Sequence, residues 1–225
     1  MTALGPQEWG AVWLSLQVAL VASICSLPLA IWVAHILARP AFVGKQLLNG
    51  LVHLPLVLPP VVTGYLLLVV FGNSGVVGGA LNTIGLELAF RWTGAALAAS
   101  IMAFPLMVRA IRISIEAVDP KLHEAARTLG SSPAKVFRTV TLPLIWPGVL
   151  AAFVLGFAKA LGEFGATITF VAAIPGQTQT IPSAIYGLLQ VPGKEGAVVT
   201  LVTISVVLAM GALVISEWLA RRAQP

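Results

Sequence analysis

Hydrophobic positions fall in long runs that polar residues barely interrupt. Five stand out, at about 10–38, 47–71, 91–113, 144–172 and 196–219. Each reaches the roughly 20 residues that a helix needs to cross the apolar core of a bilayer. Helices satisfy their backbone polar groups within one segment, so they span lipid where open strands cannot. A membrane barrel would instead show short segments of alternating polarity, and none is present. The pattern predicts an all-α, polytopic membrane helix bundle: five transmembrane helices in a single domain over residues 1–225, with no soluble appendage.

Breakers and polar stretches punctuate this plan. Pro28, Pro55, Pro59, Pro60, Pro105 and Pro147 lie inside the runs. Each removes a backbone donor and kinks its helix, which neighbours must compensate. Such kinks serve packing as often as transport, so they do not decide function. Between the second and third runs, glycines at 72, 75, 78 and 79 bracket a short interfacial helix expected at about 76–85. Between the fourth and fifth, Ile174 to Pro182 leads into a brief helix expected at 183–190, ahead of Pro192 and Gly193.

Composition agrees with a lipid-covered surface. Hydrophobic residues make up 58% of the chain and charged residues 9%, against about 25% charged in a soluble domain. Residues 1–9 carry no Lys or Arg, and the first run is long enough to stay as a span, so no cleaved signal is expected. The one cysteine, Cys25, is expected to act as a small buried hydrophobe. Trp9, Trp13, Trp92 and Trp218 lie near span ends, where aromatic anchors collect.

Basic residues are strongly asymmetric. With the N-terminus outside, the inner face receives Arg39 and Lys45, then Arg109, Arg112, Lys121, Arg127, Lys135 and Arg138, then Arg221 and Arg222. Only Arg91 and Lys194 fall outside, and Lys159 lies within the fourth run. The positive-inside rule therefore places the N-terminus outside and the C-terminus in the cytoplasm. The net charge of +5 follows from this bias; with no basic patch on a soluble domain, no nucleic-acid partner is expected.

The loop after the third run reads Asp119-Pro-Lys-Leu-His-Glu-Ala-Ala-Arg-Thr-Leu-Gly130. Asp119 suits an N-cap, Pro120 the first helical position, and Gly130 the left-handed residue past the end. Local chemistry thus specifies a capped helix over about 120–130. Ser132 and Pro133 start a second helix that runs through Pro143 into the fourth span. Ala125 and Ala126 leave the first helix shallow at one point, with Glu124 and Arg127 beside them for pairing. On these residues alone, it is either a docking element or an amphipathic helix lying on the membrane.

This stretch resembles the EAA loop of ABC importer permeases: E-A-A, three residues, G, nine residues, then I-x-L-P. Here Glu124-Ala125-Ala126 precedes Gly130 at the required interval. After nine intervening residues (131–139) come Val140-Thr141-Leu142-Pro143, with Val in place of Ile. The resemblance implies that residues 120–130 fit a cleft on a cytoplasmic ATPase, with Glu124, Ala125, Ala126, Arg127 and Gly130 forming the coupling surface. The chain has no G-x-x-x-x-G-K-[ST] phosphate loop. It is therefore expected to be a non-enzymatic, pore-forming subunit without a cofactor, ATP and Mg²⁺ being held by two separate ATPase subunits. A second copy of the permease is expected to complete the pore.

Lys159 and Glu163, four apart in the fourth run, share a helix face and can pair. Ionisable groups at membrane depth usually face a bundle interior or an aqueous cavity. They either fix helix packing or, with Thr167, line a pathway or gate. The segment Lys159 to Thr167, with Ile174 to Pro182 and Ala184 to Tyr186, is similar to molybdate/tungstate permeases, and less closely to sulfate/thiosulfate permeases. That resemblance covers nearly the whole chain. It implies a bacterial inner-membrane importer of a tetrahedral oxyanion delivered by an extracytoplasmic binding protein.

Other chemistry finds little support. His35, His53 and His123 lack ligand spacing for a metal. No nucleophile–base pair supports an intramembrane enzyme. Glu116 and Asp119 read as capping and solvation. A scaffold that merely holds an ATPase would not need the kinked spans or the Lys159–Glu163 pair.

Overall fold

The computed structural model describes residues 5–39 and 41–222 and contains, among them, helices and no strand. The predicted inner-face residues Arg221 and Arg222 have side chains outside the described set. In chain order the helices begin with α1 (Pro6–Ala38), α2 (Lys45–Val57), α3 (Pro60–Phe71), α4 (Val76–Asn82), α5 (Trp92–Glu116) and α6 (Pro120–Thr128). They continue with α7 (Pro133–Val136), α8 (Leu142–Leu161), α9 (Gly165–Val171), α10 (Ile181–Leu188) and α11 (Glu195–Arg222). A π-helical turn, Phe137–Thr141, joins α7 to α8 without a break.

The packed centre is α1, α5 and α8. Val18, Ala19 and Ala22 of α1 meet Ala95, Ala98 and Ala99 of α5 in one cluster, joined by Phe170 of α9. Ala30, Ala34 and Leu37 meet Met107, Val108 and Ile111, with Ile145 and Val149 of α8, in a second. Small residues dominate the first cluster, because lipid gives helices no hydrophobic push toward one another. Close backbone approach and van der Waals contact must supply the attraction instead. Ile24 and Trp32 on α1 and Val206, Val207 and Met210 on α11 point outward, which only a lipid or protein surround accommodates. Cys25 corrects the expectation of a buried thiol: it is exposed on α1. On a lipid-facing helix, the outer face tolerates a small apolar residue as readily as the core does.

Two predicted spans are each divided. The run at 47–71 is the pair α2 and α3, bent by 112°. Leu58 and Pro59 hold extended backbone, with ψ of 142° and 134°, because a residue preceding proline avoids the helical region. Pro60 then restarts the chain at a first helical position. Among the described residues, four helices are long and apolar enough to cross a membrane alone, or five crossings result if this bent pair counts as one. The run at 144–172 starts earlier, at Pro133, and its long helix stops at Leu161; α9 follows after a break at 162–164.

The half-helices left by these breaks, α3 and α9, pack on each other. A Cβ at Gly64 would lie 2.5 Å from the Ala166 carbonyl oxygen and 2.9 Å from Ala166 Cα. One at Gly165 would lie 2.7 Å from Pro60 Cβ. Gly64→Ala is therefore expected to force α3 from α9 at a cost of about 1–3 kcal/mol, typical of overpacking. Thermal unfolding of the purified variant measures this, and an unchanged midpoint would disprove the contact.

The end of the bundle holding the start of α1 is closed by residues 172–190. Ala172 sits at φ 59°, ψ −170°, a region that is strained for any residue but glycine. Thr178 is buried and holds the loop. Its Oγ1 accepts from the Ile174 N–H at 3.0 Å and faces the Val171 and Ala172 carbonyls as donor. Ser15 Oγ of α1 accepts from the Ile181 N–H at 2.7 Å and anchors the start of α10.

Candidate functional site

At the opposite end, α6 stands clear of the bundle, with no buried residue. Both of its ends are closed by the residues the sequence offers. Asp119 Oδ1 accepts from the Lys121 N–H at 2.9 Å, and Pro120 takes the first position. Gly130 adopts φ +77°. The Ser131 N–H reaches the Ala126 carbonyl at 3.1 Å, and the Gly130 N–H reaches the Arg127 carbonyl at 2.9 Å. These two bonds are the Schellman ending that a left-handed glycine permits. Glu124, Ala125, Arg127 and Gly130 are exposed and Ala126 is half-buried, so all five predicted coupling residues lie on one projecting element.

Sequence reasoning missed two residues here. Leu129, which caps the helix, is 86% exposed, an unusual position for a leucine on the polar end of a membrane protein. The signal was present as an apolar residue beside the capping glycine. His123 Nε2 lies 2.9 Å from Thr141 Oγ1, tying α6 to the π-helical turn. That turn has a local cause. Pro143 cannot donate to the Thr139 carbonyl, and its ring crowds that carbonyl, so the backbone widens just upstream. The Leu142 N–H bonds to the Phe137 carbonyl, five residues back, instead. Phe137 also meets the His35 ring edge-on, with centroids 4.7 Å apart.

The intramembrane pair sits at the break between α8 and α9. Lys159 Nζ donates to Glu163 Oε2 at 2.6 Å. Glu163 is 2% exposed, and its other oxygen, Oε1, accepts from the Ala166 N–H at 3.0 Å. One carboxylate thus joins the last turn of α8 to the first turn of α9, whose free N–H groups favour a negative charge. Thr167 is buried, and its hydroxyl donates to the Phe164 carbonyl at 2.9 Å. The Lys159 side chain keeps 30% of its surface accessible, which makes it the most exposed member of the trio. Glu116, read as capping and solvation, instead accepts from Arg112 Nε at 2.7 Å. Among the described residues no cluster of His, Cys, Asp and Glu could hold a metal.

Residues 26–225 match the family of binding-protein-dependent transport system inner membrane components. The chain belongs to this family. It is accordingly a multi-pass component of the inner membrane, and its relatives are the membrane pore subunits of ABC transporters. It is 58% identical to the molybdenum transport system permease protein ModB of Escherichia coli (strain K12), over 95% of this chain and 94% of that protein. It is 35% identical to the sulfate transport system permease protein CysT of Salmonella typhimurium, over 82% of this chain and 67% of that one. The fold matches an inward-facing structure of the MetNI methionine ABC transporter with a TM-score of 0.78. That match has 16% identity and covers 99% of this chain and all of the other. The bundle is therefore that of a type I ABC importer permease.

Proposed function

We propose that this permease forms, as a homodimer, the pore of an ATP-driven importer for a tetrahedral oxyanion, molybdate or tungstate. The observation that carries this reading is the 58% identity to a molybdenum permease over nearly the whole chain. Similarity to a sulfate permease, at 35%, supports sulfate or thiosulfate as the second reading. The basic residues around α6 argue for that end being cytoplasmic and for the N-terminus lying outside.

The two ATPase subunits, holding ATP and Mg²⁺, would each receive one α6. Leu129 and Leu122, 86% and 45% exposed, offer apolar anchors beside Glu124, the two alanines and Arg127. A push on the capped helix reaches the π-helical turn through His123 and Thr141 and passes up α8. It crosses to α9 through Glu163, and α9 carries α3. Lys159 and Glu163, with Thr167 behind them, thereby stand at a joint that moves during access changes. The binding protein would deliver the anion to the opposite face, where residues 172–190 close the bundle.

The test is uptake by vesicles holding the permease, its ATPase and its binding protein. ATP-dependent uptake of molybdate and tungstate is expected, with sulfate at least about tenfold slower, the ratio that about 1.4 kcal/mol of discrimination gives. Faster sulfate uptake would select the second reading.

A further inference from the structure

A charged pocket lies between α2 and α5, away from the Lys159–Glu163 joint. Asn49 and His53 of α2 and Arg109, Arg112, Ile113 and Glu116 of α5 enclose about 320 Å³. Because α5 leads into α6 after three residues, the pocket sits at the α6 end of the bundle. Arg109 lies seven residues before the end of α5, roughly 10 Å along the helix at 1.5 Å per residue. An exposed guanidinium at this end of α5 keeps its N–H groups available to an anion.

The pocket's own acid is already engaged. Glu116 Oε1 receives Arg112 Nε at 2.7 Å, and Arg112 Nη1 reaches Asn49 Oδ1 at 3.4 Å. His53 Nδ1 lies 2.8 Å from the Asn49 carbonyl, which fixes the ring and the Asn49 backbone together. Arg112 is thus held in place with N–H groups to spare. Arg109, one turn away on the same face, is exposed and has no ion-pair or hydrogen-bond partner among the described residues. Two guanidinium groups against one carboxylate leave the pocket one positive charge in excess.

We infer that this pocket binds a tetrahedral oxyanion group, held by the fork of Arg109 and the remaining N–H groups of Arg112. The planar guanidinium fork matches two oxygens of such a group. Basic pockets between membrane helices on the cytoplasmic side accept phosphate headgroups, and a soluble oxyanion offers the same oxygens. The inference rests on the pocket's geometry and does not depend on the cargo proposed above.

The test uses the full-length chain, purified and stripped of lipid. Retention of phosphatidylglycerol against phosphatidylcholine is read by native mass spectrometry. Binding of inorganic phosphate and molybdate is read by calorimetry. One of these anions is expected to bind at one per chain: phosphatidylglycerol if the source is lipid, a soluble anion if it is not. Arg109→Gln should weaken that binding at least about tenfold, as expected for losing a charge-assisted partner. Glu116→Gln should tighten it by freeing Arg112, and Arg109→Lys should keep part of it. The inference is overturned if no anion binds preferentially. It is equally overturned if Arg109→Gln, eluting as the wild type does, changes affinity less than twofold. Should that variant fail to fold, unchanged binding in both Arg109→Lys and Glu116→Gln overturns it as well.

Discussion

Glu163→Ala is expected to abolish uptake and to lower the unfolding midpoint of the purified permease more than any other single substitution at the α8–α9 joint. The carboxylate is 2% exposed and spends one oxygen on Lys159 and the other on the Ala166 N–H. Truncation leaves an ammonium without its partner and a helix start without its acceptor. Removing one member of a fully buried ion pair costs about 3–5 kcal/mol; the 30% of the Lys159 side chain that stays accessible puts the cost here below that range. Lys159→Ala combined with Glu163→Ala leaves no stranded charge and recovers part of that loss. Glu163→Gln keeps an oxygen for Ala166 and falls between. Thermal unfolding in detergent ranks the three variants. A Glu163→Ala midpoint equal to wild type would end the account of this residue as a link between half-helices.

Leu129→Asp is expected to show a different profile, with a large functional loss and no loss of stability. At 86% exposure the side chain contributes almost nothing to the fold of the isolated chain, and surface changes of this kind shift stability by about 0.5 kcal/mol or less. In the proposed complex it is an apolar anchor at the tip of α6. A few buried anchors carry most of an interface's energy, at about 2 kcal/mol or more each. Uptake should fall more than about tenfold while unfolding of the permease alone is unchanged. Uptake in vesicles, together with co-purification of the ATPase, checks this. Normal uptake by the variant would remove Leu129 from the coupling surface.

What the sequence reveals about α6 is chemistry confined to neighbours. Asp119, Pro120 and Gly130 act within one turn of their own positions, so the caps and the left-handed glycine were readable directly. The apolar runs were readable for the same reason, since hydropathy needs no partner. Direction was not readable. Pro59 and Pro60 were visible, yet hydropathy does not register a 112° bend, and residues 47–71 read as one span. The contacts that assemble the joint and its links were also hidden. His123 meets Thr141 18 residues on, and Ser15 holds Ile181 across 166 residues. Glu163 was expected to pair with Lys159, but its second bond, to Ala166, depends on a helix break at 162–164 that the long apolar run around Gly162 and Gly165 did not announce. Cys25 shows the same gap from the other side: in a membrane helix the inner and outer faces are both apolar, so composition does not say which one a residue occupies.

The meeting of Gly64 with the Ala166 backbone has a mechanical meaning. Where side chains interdigitate, two helices can slide by small steps as rotamers rearrange. Here Gly64 offers bare main chain to the Ala166 backbone, with the Thr169 side chain beside it, so the two helices have little room to slide at that point. Contact that tight favours the two segments travelling as one lever inside a protein proposed to alternate between two states.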